Sequence, residues 1–369
     1  MFYYLFEYIN KTFNPPGFDM FRFLTVRSAL AAITSLLLSL YFGPKIIARL
    51  KKKQVDQPIR EEGPQTHKKK AGTPTMGGII LILSIIIPVL LWGDIKSTYI
   101  ILILFGTLVL SIVGFVDDYL KVVKKVPQGL IARYKIMGQV FVGLVVGAAI
   151  YFLPEFKAYA TETTLPFFKD LNFDFSYFYI PMVIFIITAT SNAVNLTDGL
   201  DGLATGTMVF VMLGLAVLAY FSGNVIYADY LNIIFLPGSG ELTVFIAAAI
   251  GACLGFLWFN FYPAQVFMGD TGSLALGGAF GILTILIKKE LLIPILGGIY
   301  FLETISVIVQ RLYFKYTKKK YGEGKRVFKM APIHHHFELT GWAEPKIVVR
   351  FYIITIILVI ISLASFKVR

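Results

Sequence analysis

The sequence has little charge and almost no cysteine for its length. Only 15% of its 369 residues are charged, against about 25% in ordinary soluble domains. Its single cysteine, Cys253, lies in an apolar run, so neither an intrachain disulfide nor a paired-cysteine redox motif can form. A P-loop is missing, and no GxGxxG follows a strand-like run. These absences exclude a disulfide framework and argue against a soluble nucleotide-binding fold.

Apolar residues dominate instead, at 57% of the chain, with a mean hydropathy of +0.73. This composition predicts an all-α polytopic integral membrane protein, with residues 1–369 forming a single transmembrane domain. Ten spans are predicted, each near the ~20 residues that a bilayer crossing needs. Their approximate bounds are 23–48, 76–93, 97–119, 132–153, 178–194, 200–221, 242–259, 272–288, 291–313 and 346–366.

Lysine and arginine are concentrated in the segments that follow the first, third and ninth predicted spans. By the positive-inside rule these segments are cytoplasmic, which places both termini outside. The net charge of +12 then reflects this bias and contacts with anionic lipid and phosphate ligands, not binding of nucleic acid. All four polar motifs of the chain fall on the cytoplasmic side. We therefore expect an active site built there from inter-helix loops.

The first motif, VDDY, places two adjacent carboxylates, Asp117 and Asp118, at the end of the third span. An ionised Asp near the bilayer centre costs roughly 2.5–3.5 kcal/mol, and two together repel each other. Lys121 follows close enough on a helix to fold back over the pair. One alternative is a solvated helix end. We favour Mg²⁺ shared with a phosphate substrate, or one Asp acting as a general base.

Two further motifs carry acids. NLTDGLDG places Asn195, Asp198 and Asp201 at spacings of three, on one face if the segment is helical; a plain connecting loop is the alternative. FMGDTGSLALGG begins the eighth span, where Asp270 is placed to cap the helix. The same geometry would offer backbone N–H groups to a phosphate and Asp270 to a metal. Phe267 either packs or stacks on a base.

The fourth motif, APIHHHFE, contains His334, His335 and His336. Zinc is disfavoured because no cysteine is nearby and consecutive side chains point in different directions. Contacts between imidazoles and phosphates fit better. Lys70 and Thr75, beside PTMGG, lie closest to the membrane next to this site, although most lysines there serve topology and lipid contact.

Taken together, these motifs resemble the polyprenyl-phosphate N-acetylhexosamine-1-phosphate transferase superfamily over essentially the whole chain. VDDY, NLTDGLDG and FMGDTGSLALGG are similar to the superfamily as a whole. APIHHHFE and PTMGG resemble its phospho-N-acetylmuramoyl-pentapeptide transferase branch, a family of bacterial inner-membrane enzymes.

The resemblance implies transfer of phospho-N-acetylmuramoyl-pentapeptide from its UDP-linked donor to undecaprenyl phosphate, with Mg²⁺ required. It implies catalytic or metal-binding roles for Asp117, Asp118 and Asp270. Contacts to nucleotide, diphosphate or other substrate groups are implied for Asn195, Asp198, Asp201, Asn260 and Thr75, uracil stacking for Phe267, and phosphate binding for Lys70, Lys121, Lys135, His334, His335 and His336.

Several alternatives stay open. A sibling transferase would use UDP-N-acetylglucosamine as donor. A proton-coupled secondary transporter would use intramembrane acids, for which Glu303 in the ninth span is a candidate. The sequence does not distinguish direct attack by the lipid phosphate from a two-step route through a covalent aspartyl intermediate. Nor does it decide whether the protein forms a homodimer, or explain Glu303 and Gln310.

Overall fold

The computed structural model describes residues 1–52, 72–126, 128–168 and 172–366. These residues are mostly helical, and their only strands are β1 (Glu162–Thr164) and β2 (Asn172–Asp174), a short antiparallel pair. The predicted all-α membrane class is therefore confirmed. Lys70 lies outside the described residues.

Fourteen α-helices are formed by the described residues. They are α1 (Phe2–Phe13), α2 (Leu24–Lys52), α3 (Gly78–Trp92), α4 (Thr98–Val122), α5 (Ala132–Phe152), α6 (Tyr179–Thr197), α7 (Leu203–Ser222), α8 (Val225–Tyr230), α9 (Leu242–Asn260), α10 (Gly269–Leu286), α11 (Ile293–Leu296), α12 (Gly298–Tyr321), α13 (Ile333–Leu339) and α14 (Glu344–Ala364).

Eight helices in the described part of the chain are long and apolar enough to cross a membrane: α2, α4, α5, α6, α7, α9, α10 and α14, with α6 extended by a preceding 3₁₀ turn and α9 by another. They match eight of the ten predicted spans. The predicted second span is α3, which is apolar but only 15 residues long.

The predicted ninth span is wrong as a single helix. Residues Glu290–Leu296 and Gly298–Tyr321 meet at a bend of 82°. Gly297 and Gly298 lie at the bend, and Pro294 lies in the first turn of the short helix before it. Residues of this kind permit a sharp change of direction because they lack a side chain or a backbone donor.

Helix α10 lies at the centre of the bundle, where it packs mainly against α4 and α6. Every residue from Thr271 to Leu286 is buried. The run GSLALGGAFG is rich in small residues, which let neighbouring backbones approach closely in a membrane protein. The N-terminus of α10, where Asp270 lies, is therefore held at the middle of one end of the bundle.

Candidate active site

Three carboxylates come together at this end of the bundle. Asp117 and Asp118 lie near the end of α4, and Asp270 lies in the first turn of α10. One oxygen from each lies within 4.8 Å of the others. The close approach depends on Gly114, one turn earlier on α4, where a Cβ atom would lie 2.1 Å from the Asp270 carbonyl oxygen. Both of the Asp side chains on α4 are buried.

Two lysines bridge Asp117 and Asp270. Lys135 Nζ on α5 lies 2.9 Å from Asp117 Oδ1 and 2.6 Å from Asp270 Oδ2. Lys121 Nζ lies 3.3 Å from Asp270 Oδ2 and also pairs with Asp117 Oδ2. The prediction that Lys121 covers both adjacent acids is therefore wrong, because it pairs with only one of them. Three carboxylates against two ammonium groups leave an excess of one negative charge if all are ionised.

Asp118 has a different task, because it caps the N-terminus of α10. Its carboxylate accepts hydrogen bonds from the backbone amides of Asp270 (3.1 Å) and Thr271 (2.9 Å) and from the Thr271 hydroxyl (2.6 Å). The prediction that Asp270 caps this helix is therefore wrong: the cap comes from a neighbouring helix. These two amides are consequently not free to bind a phosphate, contrary to our expectation for this helix terminus.

The NLTDGLDG segment is only partly helical, because α6 ends at Thr197. Asn195 reaches the site and donates from Nδ2 to Asp270 Oδ1 (2.9 Å) and Ser273 Oγ (2.8 Å). Asp201 is buried in the following turn, where its carboxylate accepts from the amide of Ala264 at 3.0 Å. The three polar residues therefore do not share one helical face.

Asp198 lies between these two residues and is half-buried. Withdrawal from water, followed by the negative charges of Asp270 and Asp118, raises the pKa of Asp198 to about 8, although the Gly269 amide opposes this shift. This carboxyl group therefore binds a proton more readily than an ordinary Asp side chain does.

His334 is fully buried and lies beside Glu303 of α12, with 3.1 Å between Nδ1 and Oε1. Its other ring nitrogen packs against Gly199, where a Cβ atom would lie 2.2 Å from Nε2. The pair therefore attaches α12 and α13 to the turn that carries Asp198. Glu303, which the sequence left unexplained, is the partner of the first histidine in the motif.

The other two histidines also have partners close by in the chain. His335 Nδ1 lies 2.7 Å from a carboxylate oxygen of Glu338. His336 Nδ1 accepts a hydrogen bond from the Lys329 amide at 3.1 Å. His334 contacts the turn next to the acidic cluster.

The PTMGG segment joins the site through backbone hydrogen bonds to FMGD. The Phe267 amide donates to Pro74 O, and the Gly77 amide donates to Phe267 O, each at 2.8 Å. Thr75 is buried, and its hydroxyl would lie 2.9 Å from a Cβ atom at Gly269, whose φ is +73°. Phe267 is half-buried and lies three residues before Asp270.

Asn260 supports the loop instead of facing the acids. Its Nδ2 donates to Val266 O at 3.0 Å, and its Oδ1 accepts from the Thr205 hydroxyl at 3.1 Å. Both amide atoms are therefore engaged within the protein, which points to positioning of residues 260–266.

Sequence reasoning missed four residues that shape the site. Thr271 and Ser273 hydrogen-bond to Asp118 and Asn195, and their place directly after Asp270 in GDTGS was an available signal. Gly114 lies in an apolar run, where no sequence signal marks it as a site residue. Glu344 accepts a hydrogen bond from the Asp201 amide at 2.7 Å across 143 residues, which only the fold reveals.

The carboxylates form a donor set that suits a hard divalent cation. Mg²⁺ prefers oxygen ligands and commonly uses one or two carboxylates together with substrate phosphates. Such a cation would neutralise the one excess negative charge of the three-carboxylate cluster. Asp117 and Asp270 therefore fit as ligands, while Asp118 already uses both oxygens in the cap.

The fold and the site together define a multi-pass helical membrane protein with an acidic site at one end of its bundle, and comparison with known families identifies its relatives. The model for glycosyl transferase family 4 covers residues 100–288, which include both acids of α4, Asn195 and Asp270. Phospho-N-acetylmuramoyl-pentapeptide-transferase signature 1 matches residues 70–82, around PTMGG.

Curated relatives match over the full length. A protein of Pelodictyon phaeoclathratiforme named phospho-N-acetylmuramoyl-pentapeptide-transferase is 55% identical over 369 residues, and relatives of that name from Chloroherpeton thalassium and Salinibacter ruber are 52% and 54% identical. Each alignment covers 100% of both chains. The chain belongs to the phospho-N-acetylmuramoyl-pentapeptide-transferase family, which confirms the resemblance.

Proposed function

We propose that the protein transfers phospho-N-acetylmuramoyl-pentapeptide from UDP-N-acetylmuramoyl-pentapeptide to undecaprenyl phosphate. The products would be UMP and lipid I, in the first membrane step of peptidoglycan synthesis. The observation that supports this best is the meeting of three carboxylates and two lysines at the ends of apolar helices. A lipid phosphate and a water-soluble nucleotide sugar can both reach such a position.

In the reaction, an oxygen of the lipid phosphate attacks the sugar-linked phosphorus of the donor. The bond between that phosphorus and the bridging oxygen of UMP breaks, and UMP leaves with the electron pair. Lys121 and Lys135 are placed to hold phosphate oxygens, because both ammonium groups lie at the acidic cluster and both side chains are partly exposed. Asn195 holds Asp270 in place.

Mg²⁺ held by Asp270 and Asp117 would stabilise the negative charge that develops on the diphosphate. Asp117 is also the acid best placed to orient the lipid phosphate, since Asp118 is committed to the helix cap. Direct attack and a covalent aspartyl intermediate both remain compatible with this arrangement. Trapping phosphorylated Asp117 without acceptor lipid would favour the two-step route.

We infer that the site faces the cytoplasm of a bacterium across its inner membrane. The support is the concentration of lysine and arginine in the loops on the side where the site lies, together with the positive-inside rule. Both termini would then be outside.

The test is UMP release by the purified protein in detergent, with undecaprenyl phosphate, Mg²⁺ and UDP-N-acetylmuramoyl-pentapeptide. We expect UMP release that EDTA abolishes and that Asp270→Asn reduces by at least 10²-fold, a typical loss for one catalytic group. Asp229→Asn, a change to an exposed acid on α8, is the control and should keep full activity.

UDP-N-acetylglucosamine serves as the parallel donor. UMP release from this donor alone would keep the chemistry but assign the sibling reaction. No UMP from either donor, with protein that unfolds cooperatively, would refute the proposal.

A further inference from the structure

A groove with a strongly basic lining lies next to the histidine motif. Its volume is about 420 Å³, which is within the ~300–1,000 Å³ of small-molecule sites. One wall is a single face of α12, and the other is the segment that leads into α13. The lining residues are Val307, Gln310, Arg311, Phe314, Lys315, Arg326, Met330 and Ala331.

The charge of this groove is unbalanced. Arg311, Lys315 and Arg326 line it, and no carboxylate does. None of these three cations forms an ion pair with any described residue. An anionic ligand would therefore be attracted to the groove, and its apolar lining offers contact to the rest of such a ligand.

The groove is attached rigidly to the active site. Gln310 holds the opposite wall, since its Oε1 accepts from the amides of Val327 and Phe328 and its Nε2 donates to Phe328 O, each at 3.0 Å. Two turns earlier on α12, Glu303 holds His334, which packs on the turn beside Asp198. A ligand bound at the acids could therefore extend along α12 into the groove.

The orientation of α12 separates this groove from the lipid. Its lining residues recur at the spacing of one helical face. The opposite face exposes Ile305, Val309 and Leu312, apolar residues suited to the bilayer. The groove therefore opens away from the surface that would contact acyl chains.

We propose that this groove binds the peptide arm of the donor through the carboxylates of that arm. The inference rests on the proposed function, in which the donor carries a pentapeptide on its sugar. Such an arm ends in a carboxylate, is water-soluble and leaves the diphosphate on the sugar side. It combines negative charge with apolar side chains, as the groove requires.

The experiment compares two donors with free and with amidated peptide carboxylates. The variant combines Arg311→Gln, Lys315→Gln and Arg326→Gln. With the free donor its KM should rise about tenfold, as expected for several partly exposed ion pairs, while kcat changes less than about twofold because the change removes uniform binding. The amidated donor should have the same high KM with wild type and variant.

The control variant removes three charges from the same helix outside the groove: Lys318→Gln, Lys319→Gln and Lys320→Gln. It should keep the wild-type KM for both donors. Binding of each donor without acceptor, measured by calorimetry, repeats the comparison independently of turnover. Thermal unfolding of the groove variant should match that of the wild type.

An unchanged KM for the free donor, or an equal rise for the amidated donor, would overturn the proposal. A rise in the KM for undecaprenyl phosphate instead would assign the groove to the lipid phosphate and also overturn it. Wild-type protein that binds the free donor more tightly than the amidated one, but releases no UMP, would refute the proposed function and support the groove.

Discussion

Substitution of Asp118, compared with substitution of Asp117, tests whether the adjacent acids of VDDY have separate roles. Its carboxylate accepts three hydrogen bonds at the N-terminus of α10, from the amides of Asp270 and Thr271 and from the Thr271 hydroxyl. Asp118→Ala would leave these donors without an acceptor in a buried site. Asp117→Asn would leave both lysines paired with Asp270.

The magnitude follows from these contacts. Each buried donor left unsatisfied costs ~1–3 kcal/mol, and the lost interaction with the helix dipole adds ~0.3–1 kcal/mol. We expect Asp118→Ala to lower stability by about 3–5 kcal/mol, because relaxation recovers part of the sum. Asp118→Asn keeps one acceptor oxygen and should cost roughly half as much. Asp117→Asn should cost about 1 kcal/mol, because both lysines stay paired with Asp270 and the amide keeps an acceptor oxygen for the Leu130 amide.

The assay is thermal unfolding in detergent with EDTA, beside UMP release with Mg²⁺. At roughly 2 °C for each kcal/mol, Asp118→Ala should melt about 6–10 °C below the wild type, and Asp117→Asn within ~2 °C of it. Asp117→Asn should nevertheless abolish UMP release. If Asp118→Ala melts with the wild type, the cap does not stabilise α10 and the division of tasks is wrong.

Three further predictions concern packing, buried charge and the histidine pair. Gly114→Ala places a Cβ atom against the backbone of α10 and should lower both the melting temperature and the rate of UMP release. Gly147→Ala, where a Cβ atom would make ordinary contacts at 3.4 Å, should change neither. Equal behaviour of the two variants would contradict the close approach of α4 to α10. Burial lowers the pKa of Lys288 to about 8, so the folded state loses this proton at a lower pH than the unfolded state does. The free energy of unfolding should therefore rise between pH 8 and about 10.4. In thermal unfolding, Lys288→Met should flatten this pH dependence, whereas Lys157→Met, a change to an exposed lysine, should leave it unchanged. Glu303→Gln should lower kcat, and Glu303→Asp should keep part of the wild-type kcat. An unchanged kcat in Glu303→Gln would show that the negative charge beside His334 does not matter for turnover.

The sequence by itself determined the class of protein and most of the chemistry. Long apolar runs have to form helices in a bilayer, because no water is present to satisfy their backbone groups. Nine of the ten runs form one helix each, and the ninth in chain order is divided by the bend. Carboxylates at the ends of such runs require a cation or a donor, so Asp117 and Asp270 could be predicted as site residues. The histidine motif could be predicted as part of the site, but the direction of each ring could not.

Tertiary structure decided how these residues share the work. Hydrogen bonds between distant segments gave Asp118 the capping role that sequence assigned to Asp270, because only the fold brings the end of α4 to the start of α10. The bend at Gly297 depends on what packs around it, which a hydropathy pattern does not contain. The pairing of Glu303 with His334, and the groove beside it, likewise arise from side chains that are far apart in the chain and meet only after folding.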